Sequence, residues 1–69
     1  MKKIILIFDI PKELNTLRNR IHRKLVKLNA VKIQDSVWTS KNVNLLLEVA
    51  REIKKEGASA QVLKAEKIV

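Results

Sequence analysis

Sixty-nine residues make a single domain, 1–69, and a chain of that size removes only roughly 60% of its unfolded surface from water, so a partner subunit would strengthen it. The absence of cysteine excludes disulfide staples, a thiolate nucleophile and sulfur-bound zinc, and such a composition reads as cytoplasmic. Fifteen Lys and Arg against seven Asp and Glu give a net charge of +8, which suits a nucleic acid or an acidic surface as partner but says nothing about fold.

The excess charge is concentrated early. Residues 1 to 41 carry ten bases and three acids, and residues 42 to 69 five bases and four acids. The Met1-Lys2-Lys3 start resembles a secretory leader only briefly, because Asp9 and Pro11 interrupt the apolar run. No stretch approaches the roughly 18 apolar residues of a membrane span.

Residues 3 to 9 are β-branched and apolar and end near a proline, which predicts a strand. Alternation sets Ile5 and Ile7 on one face and Ile4, Leu6 and Phe8 on the other, so both faces are apolar, as in a strand central to its sheet. Pro11 suits the first turn of a helix reaching Leu28, with Asn29 as a left-handed cap. On that helix Leu14, Leu17, Ile21, Leu25 and Leu28 form a core-facing stripe. Lys12, Arg20, Arg23 and Lys27 cluster opposite it, where they could track a phosphate backbone; a simply solvated outer face accounts for the same pattern. Arg18 lies nearer the apolar stripe.

The segment "VKIQDSVWTS", residues 31 to 40, fits two short strands joined by a tight turn near Asp35 and Ser36, with a single bent strand as the alternative. A helix follows from the N-cap Asn42 to Glu56, closed by Gly57, with Val43, Leu46, Leu47, Ala50 and Ile53 on one face. Leu45 and Val49 widen that face beyond what one sheet surface needs. A last strand is expected around Ala60 to Leu63, with a short extension at Lys67 to Val69. The order is that of an α+β, ferredoxin-like βαββαβ domain, a four-stranded antiparallel sheet with both helices on one face. Two helices cover one face only, and a second copy of the chain is the simplest cover for the other.

Asp9 ends the apolar strand where the helix begins. A turn or N-cap role explains it locally. A Mg²⁺ role needs a second carboxylate, which a twofold axis beside Asp9 would supply, giving an arrangement suited to phosphodiester hydrolysis. His22, the only imidazole, is expected at the solvated surface, and Trp38 in the core or an interface. Two aromatic residues are too few for a base-stacking platform, and a single glycine rules out a phosphate loop.

The combination of "IFDIP", the arginine-bearing "LRNRIHRKLVKL" and "VKIQDSVW" resembles the second CRISPR-associated protein of the spacer-acquisition machinery and the related carboxyl-terminal domain of phenylacetate-type transcriptional repressors. The matching positions are Asp9, Arg18 to Arg23, and Gln34, Ser36, Val37 and Trp38, and the FDIP and SVW flavour leans toward the repressor branch. The resemblance implies a homodimer with facing sheets. For some members it implies metal-dependent cleavage of RNA or DNA centred on Asp9, with Ser36 orienting phosphate or water. For the CRISPR members it implies a bridge between dimers of the acquisition integrase. Thr39 stands where many members carry an acid, and Lys64 to Val69 correspond to a remnant of a further strand. Three functions are thus in view: a homodimeric nucleic-acid-binding protein using Lys12, Arg20, Arg23 and Lys27; a Mg²⁺-dependent endonuclease using paired Asp9; and a stand-alone module that binds protein.

Overall fold

The computed structural model describes residues 2–66. Four strands and two main helices follow in the order β1 (Lys2–Asp9), a 3₁₀ turn (Lys12–Leu14), α1 (Asn15–Lys27), β2 (Val31–Gln34), β3 (Val37–Thr39), α2 (Val43–Lys55) and β4 (Ser59–Glu66). The sheet order is β2-β3-β1-β4 and every neighbouring pair is antiparallel. This is the ferredoxin-like arrangement, with β1 central because each βαβ crossover leaves room for one strand between its two ends.

Register assigns the two faces. Leu6 pairs with Trp38 of β3 and with Val62 of β4. Leu6 and Trp38 are buried, and Ile4, Phe8 and Val62 pack against the core. That face receives Leu17, Ile21 and Leu25 from α1 and Leu45, Leu46, Val49, Ala50 and Ile53 from α2. Burying such side chains stabilises the chain by about 1.5–3 kcal/mol each, before the entropy of ordering them is counted.

The ends of the elements follow local chemistry. Asn42 accepts the Leu45 N–H at 3.2 Å and caps α2. Asn29 adopts φ 62° after α1, and Gly57 adopts φ 90° after α2, where an L side chain would be strained. Pro11 instead stays extended (ψ 157°) and precedes the 3₁₀ turn, so the regular helix starts at Asn15, four residues later than its fixed φ suggests.

Three expectations about packing are corrected. Leu28 lies past the last helical turn and is 48% exposed, so it leaves the stripe of α1. On α2, Val43 and Leu47 are 39% exposed and leave the core face, while Leu45 and Val49 are buried together with Leu46, Ala50 and Ile53. Beside that face, Arg20 of α1 reaches Glu52 and Glu56 of α2 at 3.9 and 3.4 Å. Finally, Lys64, Ala65 and Glu66 belong to β4, paired with Ile4, Lys3 and Lys2, rather than to a separate strand. The extension expected at Lys67 to Val69 lies outside the described residues.

Candidate functional surfaces and a polar cleft

The second sheet face carries Ile5 and Ile7 of β1, Val37 of β3 and Leu63 of β4, brought together because Ile5 pairs with Leu63 and Ile7 with Val37. These side chains are half-buried beside one another and beside Thr39 and Gln61, and both helices lie on the other face. Thr39, opposite Ile5, donates its hydroxyl to the Ile4 carbonyl at 2.7 Å. The residue standing where many of the family members carry an acid is therefore hydrogen-bonded across β3 and β1 inside the sheet and offers no charge.

Asp9 ends β1 on this open face, opposite Ser59. It is exposed, and neither the 3₁₀ turn nor α1 receives a side-chain cap, so the local capping role does not operate. Among the described residues no side-chain hydrogen bond or ion pair involves Asp9. No group of three or more His, Cys, Asp or Glu is placed to hold a metal among them either. One chain alone does not fit Mg²⁺, which asks for several oxygen ligands. Ser36 sits at the same end of the sheet, where its carbonyl accepts the Phe8 N–H at 3.1 Å. Ser36 also lines a cleft beside α1 that Asp9 does not line.

The basic residues divide into two groups. Arg23 and Lys27 are exposed one helical turn apart on α1, with Arg23 Nε donating to the Asn19 carbonyl at 3.4 Å. Lys12 is exposed too, but it lies in the 3₁₀ turn and so does not share the helical spacing of the others. Arg20 points the other way, to Glu52 and Glu56, and its charge is largely answered within the protein.

Sequence reasoning did not single out the opposite flank of α1. Asn15, Arg18, Asn19 and His22 recur there at helical spacing and form one wall of a cleft of about 370 Å³. Asp35 and Ser36 of the β2–β3 turn form the facing wall, and Phe8, Ile10 and Trp38 form the floor. Trp38 is only 3% exposed and meets the His22 ring edge-to-face, with centroids 5.5 Å apart and planes at 78°. The Trp38 indole N–H is enclosed without an acceptor among the described residues, and it is not one of the donors that the cleft presents. The spacing of 15, 18, 19 and 22 was visible beforehand; what hid the cleft was that its other wall lies in a turn 13 or more residues away.

No helix among the described residues is long and apolar enough to cross a membrane. A family model described as the PaaX protein central Cas2-like domain matches residues 4–68, nearly the whole chain. That description places the repressor's domain centrally, where the resemblance had put it at the carboxyl end. No curated protein and no solved structure gives a match.

Proposed function

The chain belongs to the family of PaaX central Cas2-like domains, and on that premise we propose that it is a homodimeric protein that binds the phosphate backbone of nucleic acid. The observation that carries the reading is the exposed pair Arg23 and Lys27, one turn apart, with no acid in contact among the described residues. Lys12 adds a third cation, while Arg20 contributes less because Glu52 and Glu56 hold it. The apolar patch of Ile5, Ile7, Val37 and Leu63 supports self-association through the open faces, since a 69-residue chain has little other core to spare. Sheets packed this way lie about 10 Å apart and interdigitate their side chains.

The test is salt dependence. Three phosphate contacts on a duplex predict a slope of log affinity on log salt near −2.7, so a fourfold rise in salt weakens binding about 40-fold. Replacing Arg23 and Lys27 by Gln reduces the slope to about −0.9. A slope untouched by that change overturns the reading, and no binding at low salt points to the protein-binding module instead.

A second reading, nuclease activity, draws on Asp9 having no local employment. Two copies related by a twofold axis through the open faces would place two carboxylates toward one seam, a better donor set for Mg²⁺ than one chain offers. Divalent-dependent cleavage abolished by Asp9→Asn, with the dimer intact, is the expected result; cleavage that survives the change rejects it.

A further inference from the structure

The cleft beside α1 opens on the helix side of the sheet, and neither the phosphate-backbone reading nor the Asp9 reading uses it. We propose that it binds a nucleoside 5′-monophosphate, with the phosphate on Arg18, Asn15 and Asn19 and the ring system over Phe8 and Ile10. The choice of a nucleotide over other phosphate esters rests on the nucleic-acid reading above; the phosphate assignment itself rests on the cleft.

Size is the first argument. At about 370 Å³ the cleft is at the lower end of the roughly 300–1,000 Å³ typical of sites for small organic molecules, and it exceeds what a bare ion needs. Its lining is divided in chemistry, with donors on the α1 wall and apolar side chains beneath them. A ligand that satisfies both parts has a charged polar end and a flat or apolar body.

Charge fixes the sign of that end. Arg18 makes no ion pair among the described residues, in contrast to Arg20 two positions on. The one acid of the cleft, Asp35, is engaged by Lys32 Nζ at 3.1 Å, so the cleft presents an unanswered guanidinium. Arginine's planar fork is suited to anionic oxygens taken two at a time. Donor number then favours phosphate over carboxylate: the guanidinium N–H groups, two amide NH₂ groups and the Ser36 hydroxyl outnumber what two carboxylate oxygens accept, whereas a phosphate monoester offers three terminal oxygens. The amide carbonyls of Asn15 and Asn19 remain free for sugar hydroxyls or a base edge. All four α1 residues are presented from one rigid helix, and His22 is held by its edge contact with Trp38.

Trp38 is the only tryptophan and forms part of the cleft floor, so its emission reports occupancy directly. Titration with adenosine 5′-monophosphate is expected to shift that emission saturably, with tenfold or greater weakening in Arg18→Gln, severalfold weakening in Asn19→Ala, and no change in Lys27→Gln. Circular dichroism checks that each variant is folded, and the Asn15 and Asn19 side-chain amide resonances give a second readout of binding. No saturable change in the millimolar range overturns the proposal. So does wild-type binding in a folded Arg18→Gln, or binding of adenosine or inorganic phosphate as tightly as the nucleotide. A short 5′-phosphorylated single strand binding more tightly than the free nucleotide identifies a strand end as the source of the group; the reverse order identifies a free nucleotide, and either supports the site. Duplex binding measured in parallel separates this proposal from the backbone reading, because the latter depends on Arg23 and Lys27 and not on Arg18.

Discussion

The two faces of the sheet are built from the same strand and differ in what lies over them. Leu6 is sealed beneath α1 and α2, while its neighbours Ile5 and Ile7, equally apolar, have only strand neighbours such as Val37, Thr39, Gln61 and Leu63 beside them. Composition is therefore a poor guide to which side is finished within one chain. Alternation along β1 makes both faces apolar, and the position of the helices shows which one is covered within the chain.

The sharpest challenge to that contrast is to damage each face in turn. Leu46→Ala on the covered side leaves a cavity under α2 and is expected to cost about 2–5 kcal/mol, measured as a fall in the urea midpoint. If the open faces pair as proposed, Ile7→Asp should leave the circular dichroism spectrum intact and weaken self-association a hundredfold or more, about 2.7 kcal/mol, read by sedimentation. If Ile7→Asp instead lowers the urea midpoint of the monomer as Leu46→Ala does, the faces are not distinct. Smaller effects refine the covered side: Asn42→Ala removes the cap of α2, for a loss of about 1 kcal/mol in thermal melts. Least of all, Arg20→Gln should lower stability by about 0.2–1 kcal/mol, less at high salt, since its ion pairs are largely exposed. It should also alter duplex affinity less than Arg23→Gln does.

Much of this was legible in the residues. The element order, the turn at Asp35 and Ser36, the cap at Asn42 and the left-handed exits at Asn29 and Gly57 each follow from local chemistry that tertiary packing had no reason to overrule. The start of α1 and the exposure of Val43 and Leu47 did not follow. Pro11 has a suitable φ but an extended ψ of 157°, and Val43 and Leu47 lie outside the arc that Leu45 and Val49 complete on the core side. Helical spacing alone also grouped Arg20 with Arg23 and Lys27, whereas Glu52 and Glu56, more than thirty residues away, draw it to the other flank. The cleft was illegible for the same reason: a wall contributed by α1 is visible as a pattern, but its partner in the β2–β3 turn is not.

The irregular step in β2 between Lys32 and Gln34 has a consequence for how copies of this protein meet. β2 is an outer strand bearing Val31 and Ile33, 60% and 49% exposed, the composition of a template on which another chain's strand would readily align. A bulge interrupts the even spacing of amides and carbonyls that such alignment needs, and Lys32 adds charge to the same short stretch. Growth by adding strand after strand into a filament is thereby discouraged, which removes one competitor of the pairing proposed above for the broad surface of the sheet.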